Sequence, residues 1–406
     1  MPSPGTRKRI LIVSQFYHPD ITAAAFRIKE TADLLAARGH SVHVIAGEPH
    51  KARAPGEGPL DDGRIRVTRV PLYKSEGKGT WNYIRHYLSF MAGAVAASWR
   101  HPSRFDVVWA SSPPLFTGVA GLAVARLKKA RFVLDIRDLW PESAVVAGQL
   151  SPQGFLFRAA KQVELGLYRA ADRITCVARP MAEYIAAAAG VPMPVVVYNG
   201  IPAACVDLME APGPGADPAA RPTAGGREIL YVGNFGHVQN LELVLEAAKL
   251  LQDGGVAGVR FTLVGEGARR AALQEQARAL GLTGVAFTGV LAKREALRRM
   301  RECDALVLLL KDDGTMDKTI PSKVFDYLAA GRPVLFGLRG EGREILARVP
   351  ANLEFSPSSA ASLADAVRRL LAAPPDLLAT AARNREIVRR EFLREGMVDR
   401  LETAFS

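Results

Sequence analysis

Thr319-Ile-Pro-Ser-Lys-Val-Phe-Asp-Tyr-Leu-Ala-Ala-Gly-Arg-Pro-Val334 is the stretch on which the reading of this chain turns. Pro321 suits the first turn of a helix, where its missing N–H would have no partner anyway. Gly331 suits the helix end, and Pro333 prevents continuation. Val334 then opens a short apolar run of strand type at 334–336. Ser322 and Lys323 fall where the free backbone N–H groups of a helix start point outward. Free donors, the helix dipole and a full positive charge converge there, which suits a diphosphate. Asp326 lies one turn further on the same side, where it could accept hydrogen bonds from ribose hydroxyls. A capped structural helix with a solvated lysine would carry the same signals.

Outward from this stretch, short apolar strands alternate with helical patterns, the signature of parallel sheets with crossover helices. Strands are expected at 10–13, 42–46, 107–110, 132–134, 174–177 and 195–198, with a helix at 26–38 closed by Gly39. The segment 209–227 holds Pro212, Pro214, Pro218 and Pro222 and reads as an exposed linker. The alternation restarts with strands at 229–232, 260–264, 285–287, 305–309 and 334–336, and a helix at 241–251. A charged helical pattern fills 382–404. The 406 residues exceed the roughly 250–300 at which single cores stop growing. The expected fold class is α/β, with two Rossmann-like lobes, 1–201 and 202–381, followed by the C-terminal helical pattern. Ligands of such sheets bind at the carboxyl ends of the strands, so the cleft between lobes is the default site.

Composition narrows the class. The formal charge is +12, from 53 Lys and Arg against 41 Asp and Glu, which favours anionic partners. Cys176, Cys205 and Cys303 are far apart and form no C-x-x-C pair, so neither a disulfide framework nor a zinc site is expected, and a cytoplasmic setting fits. No apolar leader segment follows the basic N-terminal residues. No run reaches the roughly 18 apolar residues of a spanning helix.

Three more stretches fall after strands. Tyr231-Val-Gly-Asn-Phe-Gly-His-Val-Gln-Asn240 is a Gly-containing turn, and Gly233 and Gly236 would let backbone approach a phosphate. Asp135-Ile-Arg-Asp-Leu-Trp-Pro-Glu-Ser143 crowds four charges and a Trp at a strand end. An ion-paired loop, Asp135–Arg137 or Arg137–Asp138, would explain it structurally. Gln15-Phe-Tyr-His-Pro-Asp20 follows the first strand, and His18 there suits loop ordering or base chemistry.

In this order the motifs resemble glycosyltransferase family 4, of the glycosyltransferase-B fold, and most closely its branch that builds bacterial surface polysaccharides. P-S-K-x-x-D-Y-L-A-x-G-R-P-V resembles that family's donor-binding helix, which implies Lys323 and Ser322 at the diphosphate and Asp326 at the ribose. Lys318 stands where the family has a Glu near the donor sugar, with Asp313 and Asp317 nearby as substitutes. Asn234 and Gln239 stand where many members have an Arg and a Lys as phosphate clamps, which shifts that charge to Lys323 and backbone N–H groups. I-R-D-L-W-P-E-S resembles the family's acceptor-side segment: Asp138 would orient the acceptor, supported by Arg137 and Glu142. Gln15–His18 resembles the first-lobe entry loop, with Ala23 and Ala24 in place of a Gly pair. Val264-Gly-Glu-Gly267 and Phe287-Thr-Gly-Val290 resemble the turns around the nucleotide, Val290 at the base. Tyr198-Asn-Gly-Ile201 resembles the exit from the first lobe, and the resemblance implies that a crossover helix from 382–406 returns to that lobe and leaves a hinge at 200–202.

The resemblance implies transfer of a sugar from a nucleotide-sugar, a UDP-sugar, to a hydroxyl of a saccharide acceptor carried on a polyprenyl diphosphate, with retention of configuration. It implies no cofactor and no metal, and no D-x-D motif ends a strand. Two other readings stay open: a UDP-sugar 2-epimerase of the same fold, and a non-catalytic nucleotide-sugar-binding protein. A dehydrogenase is disfavoured, since no G-x-G-x-x-G follows the first strand. Finally, 64–104 interleaves basic residues with Tyr73, Trp81, Tyr83, Tyr87, Phe90 and Trp99, against Glu76 alone. This suits an anionic membrane surface at the inner face of the cell membrane. A core-facing helix with a wet basic side would read the same way, and no nucleic-acid motif appears.

Overall fold

The computed structural model describes residues 7–20, 22–49, 65–73, 80–101, 103–146, 148, 150–211, 226–312, 314 and 316–406. It divides into two compact units, Met1–Asn199 with Arg394–Ser406, and Gly200–Leu393. The first holds β1 (Arg9–Ser14), α1 (Ala23–Ala37), β2 (Ser41–Gly47), β3 (Arg66–Val70), α2 (Thr80–Arg100), β4 (Val107–Ser112), α3 (Leu115–Lys128), β5 (Arg131–Ile136), α4 (Glu142–Val146), α5 (Phe155–Ala170), β6 (Arg173–Cys176), α6 (Arg179–Ala189) and β7 (Val195–Val196). The second holds α7 (Ala203–Glu210), β8 (Arg227–Val232), α8 (Leu241–Asp253), β9 (Val259–Val264), α9 (Arg270–Ala279), β10 (Val285–Thr288), α10 (Lys293–Glu302), β11 (Ala305–Leu309), α11 (Lys323–Ala330), β12 (Val334–Gly337), α12 (Gly340–Ala347), β13 (Leu353–Glu354), α13 (Ala360–Ala372) and α14 (Leu377–Glu391). The last helix, α15 (Arg394–Phe405), belongs to the first unit.

Each unit is one parallel sheet. The first runs β3-β2-β1-β4-β5-β6-β7 and the second β10-β9-β8-β11-β12-β13. In both, the chain moves outward through three strands and returns beside the first, so the order reverses at β1/β4 and at β8/β11. Loops that leave adjacent strands in opposite directions open a crevice at such a point. The central strands read as unbroken apolar runs because helices cover both faces: β4 and β11 are buried at every position. In the first core Ile10, Ile12, Trp109 and Val133 meet Ile28 and Leu35 of α1 and Met397, Leu401 and Phe405 of α15. In the second, Ile229, Tyr231, Leu263 and Val307 meet Val244 and Leu251 of α8 and Leu363 and Val367 of α13. Each such Leu, Ile or Val contributes about 1.5–3 kcal/mol by leaving water.

The structure departs from expectation in four places. β3 is a strand that alternation alone did not mark, because R-V-T-R-V is a short edge strand buried only at its last residue. β13 is likewise a two-residue edge. The segment expected to be linker from 209 begins as the end of α7, and its proline-rich middle, 212–225, lies outside the described residues. The single helix expected over 382–404 is two helices. α14 stays in the second unit against α11, with Arg385 Nε donating to the Ala329 carbonyl at 3.0 Å and Phe392 5.0 Å from Phe325. Phe392 leaves helical geometry at φ −129°, ψ 17°, and the backbone then pairs Leu393 with Ile201. Only α15 packs on the first unit.

Candidate active site

In the second unit the candidate residues gather where β8 and β9 end and α11 begins. Gly233 follows β8 with φ +154°, a region costly for other residues. A Cβ added there would lie 2.6 Å from Lys323 Nζ and overlap the rest of that side chain. Gly265, after β9, has φ +143°, and a Cβ there would run into the Gly233 carbonyl. The two turns therefore lie backbone on backbone, tied by Gly233 N–H to Val264 O at 2.9 Å and Phe235 N–H to Glu266 O at 2.8 Å. Close approach of this kind leaves backbone and Lys323 as the surface any ligand would meet.

Lys323 is the first residue of α11, with Ser322 as its N-cap; Pro321 thus precedes the helix instead of opening it. The ammonium sits 5.3 Å over the buried Tyr231 ring. Among the described residues it makes no hydrogen bond or ion pair. Loss of water lowers its pKa to about 8, while the Asp326 carboxylate one turn away works to raise it. Tyr327 fixes this helix start. Its hydroxyl accepts from Val232 N–H at 2.9 Å and lies 3.4 Å from the Val232 carbonyl, so α11 is pinned to the end of β8. The tyrosine sits inside the quoted stretch, yet nothing local in sequence signals a partner 95 positions away.

The remaining second-unit candidates divide. Asn234 and Gln239 are turned to each other, Nδ2 to Oε1 at 3.5 Å, and Gln239 Oε1 also accepts from Gly236 N–H at 3.0 Å. They shape the turn. Val290 is half-buried in the turn after β10. Lys318 closes a 3-10 turn, Met316–Lys318, and the Asp317 carbonyl lies directly under Gly340. Asp313 lies outside the described residues.

In the first unit the charged segment that begins at the end of β5 is built on ion pairs, though not the ones expected. Asp135 pairs with Arg27 of α1 at 2.9 Å, both nearly inaccessible, and accepts from Ser111 Oγ at 2.9 Å and Thr175 Oγ1 at 2.8 Å. Arg137 donates to Ser111 Oγ at 2.8 Å and to the Pro113 carbonyl at 2.7 Å, clamping its loop to β4. Burial lowers its pKa to about 10 against the pull of Asp135. Glu142 accepts from Lys161 of α5 at 2.8 Å. Lys161 also meets Glu164 and, at 2.8 Å, Tyr184, and Glu164 takes the Tyr168 hydroxyl at 2.6 Å. This knot was not legible, because its members come from three helices. His18 lies in the loop after β1, where its carbonyl accepts from Arg69.

Asp138 borders a small interior void of about 10 Å³, walled by Leu115, Leu134, Ile136 and Leu167 and by Trp140 and Glu164. Burial raises its pKa to about 6, opposed by a hydrogen bond from Ser143 and the nearby Arg137. The folded pKa lies above the ordinary 3.8, so between these values the unfolded chain binds fewer protons and stability falls as pH rises. Asp138→Asn should remove that slope from about pH 4 to about pH 6, read as urea midpoints at each pH; an unchanged slope would mean the carboxyl is not desolvated.

Among the described residues no group of three or more His, Cys, Asp or Glu is placed to hold a metal ion, and no helix is long and apolar enough to cross a membrane.

Comparison with known proteins matches both units. The family described as "Glycosyl transferase 4-like domain" matches residues 22–200, and "Glycosyl transferases group 1" matches 226–373. The colanic acid biosynthesis glycosyl transferase WcaI of Escherichia coli K12 is 27% identical over 348 residues, 80% of this chain and 81% of that protein. The glycosyltransferase WbjE of Pseudomonas aeruginosa is 25% identical over 217 residues, 53% of this chain and 52% of that one. Among solved structures, HepE of Anabaena in complex with UDP and glucose has a TM-score of 0.72 at 15% identity, over 98% of this chain and 99% of that one. WaaG, a glycosyltransferase of lipopolysaccharide biosynthesis, has a TM-score of 0.69 at 17% identity, over 96% of this chain and 98% of that one.

Proposed function

The chain belongs to the family-4-like glycosyltransferases of the glycosyltransferase-B fold, and from that premise we propose that it moves a sugar from a UDP-sugar to a hydroxyl of a lipid-linked saccharide in bacterial surface polysaccharide biosynthesis, with retention of configuration. The observation that carries this reading is the Lys323 ammonium, lying over a glycine turn at a helix start with no anionic partner bonded to it among the described residues. WcaI supports the polysaccharide setting, WbjE supports sugar transfer, and the UDP held by HepE supports the donor class.

In the proposed reaction the bond between the sugar's anomeric carbon and the diphosphate breaks, and the acceptor oxygen bonds to that carbon. The acceptor's proton passes to the departing phosphate oxygen, so no protein base is required. Lys323 and the N–H groups at the start of α11 stabilise the charge that develops on the leaving diphosphate. Asp326 receives the ribose hydroxyls, and Val290 borders the base. Asp138 orients the acceptor hydroxyl, on a loop that Arg137 and Glu142 hold in place. An acceptor on a polyprenyl diphosphate would bring the enzyme to an anionic bilayer, the partner expected for 64–104.

A thermal-shift screen with UDP, GDP, ADP and dTDP tests the donor. A nucleotide at 100 times its dissociation constant adds about 2.7 kcal/mol of stability. Stabilisation by UDP alone is the expected result; stabilisation by another nucleotide overturns the donor class, and by none, the binding site itself. Free sugar formed from donor alone would favour the epimerase reading.

A further inference from the structure

The expectation that 64–104 forms a membrane surface changes once the residues are placed. Arg64, Lys74, Glu76 and Lys78 lie outside the described residues. Arg69 donates to the Gly47 carbonyl at 2.9 Å, Arg66 bonds His101 at 3.2 Å, and Phe90 is fully buried. What stays on the surface is one side of α2, and it continues onto two other helices. β3 to β4, β4 to β5 and β5 to β6 all step the same way along the sheet. Right-handed crossovers therefore put α2, α3 and α5 side by side on one face, where α2 packs on α3 and α3 on α5.

The outer surface of this layer is unusual in two independent ways. Seven of the eleven exposed large hydrophobic residues described in the chain lie on it: Trp81, Leu88 and Trp99 of α2, Leu127 of α3, and Phe155, Leu156 and Val163 of α5, with Trp99 and Phe155 each 75% exposed. Between α2 and α3 runs a trough lined by Met91, Val95 and Trp99 on one side and Val119, Ala123 and Leu127 on the other. The layer is also almost without negative charge. The three helices carry seven Lys and Arg residues and a single acidic one, Glu164, which is buried in the Lys161 knot. Arg85, Arg100, Arg126 and Arg158 are exposed and make no ion pair among the described residues. Apolar side chains including two tryptophans, together with exposed arginines, complement an anionic headgroup layer above hydrocarbon.

We infer that the α2–α3–α5 layer is the docking face of this enzyme for an anionic lipid bilayer, with Trp99 and Leu127 at the α2–α3 trough and Phe155 of α5 entering the hydrocarbon boundary. This rests on the membrane-linked acceptor proposed above but is read without donor or acceptor. Face and setting agree: an enzyme held by this layer works on acceptors anchored in the same bilayer.

The test is sedimentation of the full chain with vesicles of phosphatidylcholine alone and of phosphatidylcholine with 30% phosphatidylglycerol, a composition of roughly bacterial anionic character. Binding is expected to the anionic vesicles and to weaken with salt. Each basic residue near the surface is worth about fivefold in partitioning, so Arg100→Ser with Arg126→Ser should weaken binding about 25-fold. Trp99→Ser with Leu127→Ser, and separately Phe155→Ser, should reduce binding at high salt, where the hydrocarbon contact is what remains. All five side chains are exposed, so the variants should unfold at the wild-type temperature and keep any stabilisation by UDP. Wild-type binding that none of these substitutions moves would overturn the location. No binding to either vesicle, or a self-associated species in sedimentation equilibrium that Trp99→Ser dissolves, would overturn the bilayer as occupant. Neither outcome touches the sugar-transfer reading, which the nucleotide screen tests alone.

Discussion

Lys323→Ala is expected to abolish stabilisation by nucleotide and to lower the rate of sugar transfer by about 10²–10³-fold, the cost of removing one preorganised group from a developing oxyanion. The apo protein should fold as well as before. α11 is held by Tyr327 on Val232 and by the left-handed Gly331 at its end, and neither contact uses the ammonium. Desolvation already pushes the Lys323 pKa down to about 8, so the charge is a liability to the empty fold. Its removal should leave the melting temperature unchanged or slightly higher, as is common where a site is kept strained for function. The sign of the pH effect follows. The ligand-free protein loses this proton as pH rises through about 8, so UDP stabilisation should fall across that range in the wild type. The alanine variant should show no such limb. If the variant still shifts with UDP, the diphosphate sits elsewhere and the assignment of the α11 start fails.

What could be read in the sequence was what neighbours in sequence decide. The apolar runs of β1, β4, β8 and β11 stood out because both faces are covered, and α11 was visible because Pro321, Gly331 and Pro333 punctuate it. β3 escaped because an edge strand carrying Arg66 and Arg69 does not alternate cleanly, and the break between α14 and α15 because residues 382–404 keep a helical pattern through Phe392. At the site the same division holds. Gly233, Lys323 and Asp326 lie within two short motifs, and the structure brings the first two into contact. Asn234 and Gln239, expected at the phosphates, hold each other, since a side-chain amide beside a tight turn finds its nearest bonding group there. Arg137 and Glu142, expected beside an acceptor, are bonded to β4 and to Lys161. No spacing rule reveals partners that arrive from other helices.

That redistribution predicts opposite consequences for two carboxylates three residues apart. Asp135→Ala is expected to destabilise the first unit by about 3–5 kcal/mol, the usual result of stripping the partner from a buried charge. Arg27 would be left 3% exposed with no counter-ion; its other hydrogen bond, to Asn199, is long at 3.5 Å. Ser111 and Thr175 would lose their acceptor as well. Since a whole domain is stable by only about 5–15 kcal/mol, this variant should unfold far earlier in urea. Arg27→Met combined with Asp135→Leu should recover most of the loss, because well-packed apolar residues often replace a buried pair at little cost. Asp138→Ala should do the reverse. A carboxyl whose pKa is raised to about 6 by burial does not hold the fold together at neutral pH, so its removal should spare stability while sugar transfer falls. If Asp138→Ala instead unfolds the unit and leaves the residual rate per folded molecule intact, the segment after β5 is scaffold throughout and the acceptor is oriented by residues outside it. If the two variants separate as expected, one motif holds a residue that builds the loop and a residue that uses it, and the buried partner, Arg27, is what distinguishes them.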